Sequence, residues 1–590
     1  MQEFPWIDGS IVGLYLVATM AAGIMVRKYV GKVEHFLVAG REVNVYLGIA
    51  SLAATEFGVI TCMYTAQLGY NRGFAGATPG ILMAIAMFFV GLTGFCVKPL
   101  REAGVMTIPE LFEKRYGPRI RWAAGVVIVL GGLLNMGVFL RITGEFLVLV
   151  CGFDMKYLEI MMTVLLVLVT LYTVLGGMLS VLITDFLQFI VMSAGLIAVT
   201  VLILVKVTWS RLAETVATQY AAGGFNPFAN PDADPDRGWP WVLSNALMNL
   251  AAVLTWQTTI SRLLSAKDAK TGRQIYTRTS FFFVCRFLIP GIWGIAAMAM
   301  LAPAAYLSLG GQRGATDNAQ LTLNVERKAE ATDTPAKESL TLNGISTNDL
   351  GEPADLGLEL ATRKGGLTVT RVEAGSHAAK AGVQVDDRIV RINNMEPSRY
   401  AMPLFLSGFV PVGLMGLLLA AMLAADMSTT SSYMLTWGSV IYNDIMAPLR
   451  KTPWSEKRGI LWNRIIVTLI GVFLLGYGLW YKLQGDVWNY LVVTATIYAA
   501  SISTMLVACC YWKRSNNWGA AASILVGAVI PVVYLVMEKV PATAAIAGFI
   551  GPHYSVLAAF AATALAMVVG SLLKPTDQWP TTAGTRTDRS

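Results

Sequence analysis

The sequence predicts an all-α polytopic membrane protein of about 13 transmembrane helices, carrying a small α+β insert outside the membrane. Three observations carry this reading. Of the 590 residues 55% are hydrophobic and only 14% charged, whereas soluble domains carry roughly a quarter charged residues. Apolar runs of about 20 residues recur along the chain, the length needed to cross a ~30 Å hydrocarbon core. Lys and Arg gather in every second connection between those runs, as expected when positive charge is held on the cytoplasmic side. The net charge of +8 is therefore topological, and no nucleic-acid partner is needed to explain it.

The predicted spans are 8–26, 45–69, 76–97, 122–150, 157–175, 178–205, 240–262, 279–303, 403–442, 461–483, 487–512, 518–537 and 553–573. The stretch 403–442 is too long for one simple crossing, and Pro403 and Pro411 predict a loop or broken segment at its start. Basic connections hold Arg27 and Lys28, Lys98 and Arg101, Arg262 and Lys267, Arg450 and Lys451, and Lys513 and Arg514, while NPDADPD at 230–236 is acidic. This alternation puts the N-terminus outside and the C-terminus in the cytoplasm, in a plasma membrane (the inner membrane of a bacterium). The first run follows an acidic flank, MQEFPWIDGS, so it reads as a span and not as a cleavable signal.

Chemistry of other classes is not indicated. The six cysteines lie in or beside apolar runs without metal or disulfide spacing, and the three histidines are scattered. Neither H-E-x-x-H nor G-x-S-x-G occurs, so the chain does not read as an enzyme.

Residues 306–400 are polar and, by the same alternation, extracytoplasmic. The predicted organisation is a membrane domain over 1–305 and 401–590 interrupted by this insert. Within it, GGLTVTRVEAGSHAAKAGVQVDDRIVRINN resembles the middle of a bacterial PDZ domain, over about 355–398. The alternating apolar residues of DRIVRIN fit a half-buried strand. QLTLNVERK (320–328) is a further strand candidate that would supply a permuted edge. No second helix is expected, because the chain re-enters the membrane near Met402. The insert is either a structural β-rich element or a module that binds a peptide or protein partner.

The stretch AAMLAADMSTTSSYMLTWGSVIYNDI (420–445) sets a carboxylate and five consecutive hydroxyls in an apolar neighbourhood. A charged side chain at mid-membrane costs at least ~2.5 kcal/mol. Hydroxyls are cheaper, because each bonds back to a carbonyl one turn earlier. Ala425, Ser428, Thr429 and Ser432 share one helical face. Neutral oxygens in that arrangement suit a weakly held monovalent cation, where a tight divalent site would need more carboxylates.

The chain resembles the sodium:solute symporter family over nearly all residues outside 306–400. EHFLVAGRE (34–42), TIPELFEKRYG (107–117), LYTVLGGMLSVLITDFLQ (171–188), QTTISRLLSAKD (257–268) and the hydroxyl stretch stand in the family's order. The resemblance implies an inverted repeat of five plus five helices, as in LeuT, whose first core helix is broken at mid-membrane; here that helix is 47–69. It implies a sodium site from the carbonyls of Ala54, Phe57 and Ala425 with the hydroxyls of Ser428 and Thr429. The resemblance further implies either that Asp185, Ser431 and Ser432 hold a second sodium, as in some members, or that Asp185 serves ion exit or bonds the hydroxyl helix. Asp426 departs from the family's usual apolar residue.

Glu56, Thr61, Arg141, Trp256 and Gln257 are implied substrate-lining residues. Arg141 is either a carboxylate clamp or the partner of Glu145 one turn later. The implied function is secondary active transport that couples sodium influx to uptake of a small organic solute, a carboxylate or amino acid favoured, with no organic cofactor. The alternative is a transporter-like solute sensor that signals through the insert.

Overall fold

The structure is a computed structural model and describes residues 5–26, 33–229, 238–309, 319–327, 336–345, 356–363, 366–450, 454–483 and 486–574. The acidic 230–236 stretch, Arg27, Lys28, Lys451 and much of the insert's connecting chain lie outside those residues. Ten helical stretches among the described residues are long and apolar enough to cross a membrane. The sequence count of about 13 differs because several stretches contain breaks.

In chain order, α1 is Trp6–Val26, α2 Val45–Glu56, α3 Val59–Arg72, α4 Thr78–Thr93, α5 Pro118–Gly137, α6 Phe139–Val150 and α7 Leu158–Lys206. Then follow α8 Trp209–Tyr220, α9 Trp239–Thr255, α10 Gln257–Ser265 and α11 Ala269–Met300. After the insert come α12 Pro397–Phe409, α13 Leu414–Val440, α14 Glu456–Trp480, α15 Val487–Tyr511, α16 Asn517–Lys539 and α17 Pro541–Leu573. Two helices in α7 meet at Gly177, whose φ of 57° and ψ of −156° are open to glycine at no steric cost.

Two breaks organise the core. The first separates α2 from α3 at Phe57 and Gly58, where φ/ψ leave the helical region. Asn44 starts α2 by accepting from the Leu47 amide at 2.9 Å, an N-cap. A glycine is required at 58, because a Cβ there would stand 2.8 Å from Thr429 Oγ1. The second break separates α9 from α10 at Trp256, which is extended (φ −65°, ψ 119°). Each break opens a set of five: α2/α3, α4, α5/α6 and the two halves of α7, then α9/α10, α11, α13, α14 and α15. This is the expected repeat. Asp268 caps α11, accepting from the Thr271 amide at 2.6 Å.

The insert is a five-stranded antiparallel sheet, with β1 Ala319–Arg327, β2 Ala336–Ile345, β3 Leu358–Arg363, β4 Gly366–Val372 and β5 Arg388–Ile392 in the order β2-β1-β5-β4-β3. Ser376 caps a one-turn helix, His377–Lys380, between β4 and β5. Two expectations are corrected. Residues 320–327 of the 320–328 strand candidate form most of β1, which lies inside the sheet between β2 and β5, not at its edge. A second helix does follow: α12 packs on β4 and β5 before the chain turns into α13. Pro403 sits inside α12 without ending it, whereas Pro411 lies in the break before α13.

Candidate sodium and solute sites

The hydroxyl helix α13 lies against α2, α7 and α10, and its oxygens meet partners from all three. Ser428 Oγ donates to Asp185 Oδ1 at 2.5 Å, and Thr429 Oγ1 donates to the Thr55 carbonyl at 2.9 Å. Ser432 Oγ lies 3.0 Å from Thr55 Oγ1. Ser51 Oγ donates to Asp185 Oδ2 at 2.5 Å. Ser431 instead donates to the Ser428 carbonyl of its own helix. Ala54, Phe57, Ala425, Ser428 and Thr429 are all buried, and the break at Gly58 touches Thr429. The structure thus brings the first break and the hydroxyl helix together. The neutral oxygens of Ser428 and Thr429, with the carbonyls of the first break beside them, are the kind of donors that suit a monovalent cation. Among the described residues no cluster of His, Cys, Asp and Glu suits a transition metal.

Arg262 was expected in a basic connection, and this is corrected. It is wholly buried on α10. Its Nη2 donates to Thr55 Oγ1 at 2.6 Å, to Asp185 Oδ2 at 3.1 Å and to Ser432 Oγ. A guanidinium therefore stands between Asp185 and Ser432, where a second sodium was expected. The missed signal was position: Arg262 falls five residues after Gln257, inside a motif rather than beyond the span.

A cavity lies beside this network. Thr55, Glu56, Thr61 and Tyr64 line it from the first break, Trp256 from the second, Arg286 from α11, and Thr429 and Tyr433 from α13. Glu56 Oε2 lies 3.2 Å from Arg286 Nη1, and Glu56 Oε1 accepts from Thr258 and Thr259 at 2.7 and 3.1 Å. Arg286 Nη2 also donates to Tyr64 OH at 2.8 Å. Trp256 Nε1 donates to Tyr433 OH at 2.8 Å. Glu56, Thr61 and Trp256 thus line the cavity.

Two expected lining residues do not. Gln257 Nε2 turns to the Thr255 carbonyl at 3.3 Å. Arg141 Nε pairs with Glu145 Oε1 at 3.0 Å, its Nη1 donates to the Gly478 carbonyl at 3.1 Å, and Glu145 Oε2 accepts from Tyr400 OH at 2.7 Å. The geometric reason is that Glu145 lies one turn along the same helix and takes up the charge locally. Arg286 of α11, not Arg141, is the arginine that lines the cavity. Asp426 Oδ1 accepts from Thr143 at 2.6 Å and makes no ion pair among the described residues.

Residues 36–327 and 373–527 match the sodium:solute symporter family, and 346–399 match the PDZ domain. The chain belongs to the sodium:solute symporter family. Sodium/glucose cotransporter 4 of Danio rerio is 24% identical over 571 residues, 91% of this chain and 72% of that protein. A sodium/mannose cotransporter of Bos taurus is 24% identical over 576 residues, 91% of this chain and 80% of that protein. A solved Na+-coupled sialic acid symporter, substrate-bound and outward-open, superposes with a TM-score of 0.67 at 16% identity, over 98% of this chain and 100% of that one. It shares the fold. This symporter is a multi-pass membrane protein of sodium-coupled solute transport, with Na+ as the coupling ion. Its relatives are transporters rather than enzymes, and its PDZ domain points to protein contacts.

Proposed function

We propose that this symporter couples sodium influx to uptake of a small carboxylate-bearing solute, an amino acid foremost, by alternating access. The observation that carries the reading is a shared pair of residues. Thr55 and Thr429 both line the cavity and both belong to the hydroxyl network. An ion that holds the first break against α13 through Ala54, Phe57, Ala425, Ser428 and Thr429 also fixes one wall of the cavity. Binding of ion and solute is then coupled through one rigid junction.

Arg286 is proposed to take the solute carboxylate and Glu56 its ammonium group. A guanidinium binds a carboxylate bidentately, and a zwitterion replaces the Glu56–Arg286 contact with two complementary ones. Trp256, Tyr433 and Thr61 would enclose the remainder. Thermal shift of the purified protein, with and without sodium, across amino acids, monocarboxylates and sugars tests this. A true ligand at 100 times its dissociation constant adds ~2.7 kcal/mol, and a response confined to compounds without a carboxylate would overturn the assignment.

The second reading is a neutral sugar. It draws support from Glu56 and Arg286 already neutralising each other, beside an aromatic wall, and from relatives named for glucose and mannose. The same screen separates the two. The orientation proposed is N-terminus and insert outside, C-terminus in the cytoplasm, in the plasma membrane.

A further inference from the structure

Through one helix the PDZ-like insert reaches the layer next to one end of the cavity. On that side Tyr64, Phe287 and Trp488 form a cluster, with ring centroids 5.0 Å (Tyr64–Trp488), 5.7 Å (Tyr64–Phe287) and 5.5 Å (Phe287–Trp488) apart. All three line the cavity, and they come from α3, α11 and α15. One turn beyond Tyr64, Gln67 binds the next layer. Its Nε2 donates to Glu396 Oε1 and Ser398 Oγ, each at 3.2 Å, and its Oε1 accepts from the Val487 amide at 3.3 Å. Glu396 and Ser398 begin α12, and Val487 precedes Trp488. Farther along α12's first turn, Arg399 donates to the Leu483 carbonyl at 3.1 Å and Tyr400 to Glu145 at 2.7 Å.

The same α12 is part of the insert. It packs on β4 and β5 as well as on α3, α6 and α11, and only four residues separate it from β5. The insert is held at β3 as well. Edge strand β3 faces the bundle, where Gln219 Nε2 of α8 donates to the Thr362 carbonyl at 3.2 Å. The segment Pro303–Leu309, leaving α11, lies against β3, β5 and α12, and its Tyr306 OH donates to Tyr70 OH at 2.9 Å. PDZ-type folds accept extended peptides along an edge strand; here the chain's own residues meet that strand.

We propose that the insert is a working part of the gate on its side of the membrane. Because α12 is packed on the sheet, it moves with the insert, and the cavity opens on that side only when the insert lifts from α8 and the 303–309 segment. This rests on the alternating-access reading. That opening separates Tyr64, Phe287 and Trp488, and it must first break the bonds by which Gln67 ties α3 and α15 to α12.

The test is a reversible lock. Oxidation of a Gln219→Cys/Thr362→Cys variant should join α8 to β3, abolish sodium-driven uptake, and release it again on reduction. Complete cross-linking with unchanged uptake would overturn the proposal, as would failure of the pair to cross-link at all. Absence of sodium-dependent uptake in the reduced variant and in the unaltered protein alike would instead count against the symport reading. A second measurement needs no engineered thiols. In Gln67→Ala, hydrogen exchange should rise together in 397–409 and in the β4–β5 region. A rise in 397–409 with the sheet unchanged would separate helix from insert and refute the shared movement.

Discussion

Arg262 Nη2 lies 3.1 Å from Asp185 Oδ2, and neither side chain has exposed surface. The pair links α10, just past the second break, to α7, and Ser51, Thr55 and Ser432 complete its hydrogen bonds. Removing one member of a buried pair strands the other charge, at a cost of about 3–5 kcal/mol. Arg262→Gln is therefore expected to lower the unfolding temperature strongly, read by thermal denaturation in detergent. With the guanidinium at Asp185, transport should couple one sodium per solute. A reversal potential that requires two would mean that Arg262 vacates this carboxylate during the cycle.

Ser428→Ala and Thr429→Ala should each raise the sodium concentration for half-maximal uptake. They should differ in a second respect. Thr429 also lines the cavity, so its replacement should weaken solute binding at saturating sodium, whereas Ser428→Ala should not. Uptake in sodium-free buffer as fast as in sodium would remove the basis for both expectations.

Arg286 and Arg141 should separate cleanly. Arg286→Lys keeps the charge and loses the fork, and a lost charge-assisted hydrogen bond costs about 1.5–3 kcal/mol, or roughly ten- to hundredfold in solute affinity. Arg141→Lys should leave affinity nearly unchanged. Glu145→Gln should instead reduce stability, because Arg141 and Tyr400 both lean on that carboxylate. Equal affinity losses in both lysine variants would argue against Arg286 as the carboxylate partner.

Topology can be read from the insert. Ser376 is a natural position for a probe but caps the His377–Lys380 turn, and a lost cap costs about 0.5–2 kcal/mol. Lys380 is exposed and is the better site. In a background without native cysteines, Lys380→Cys should react with an impermeant thiol reagent in intact cells. Reaction only after lysis would reverse the assigned orientation.

The sequence by itself determined the membrane class, the run of spans, the insert and the hydroxyl helix. Those features are local: apolar length, charge spacing and five successive hydroxyls declare themselves without a partner. It also placed Glu56 in the broken first core helix and Trp256 among the cavity-lining residues, since family motifs fix those positions along the chain; the break at Trp256 itself came only with the structure. Tertiary structure alone decided which charges meet. Arg141 has Glu145 one turn away and is neutralised within its own helix, whereas Arg262 and Arg286 find Asp185 and Glu56 only after chain segments 77 and 230 residues apart are brought together. The same holds for α12, whose apolar residues read as the start of a membrane span. Its role as the insert's second helix depends on packing against a sheet on one side and a bundle on the other, and neither contact is encoded in its own spacing.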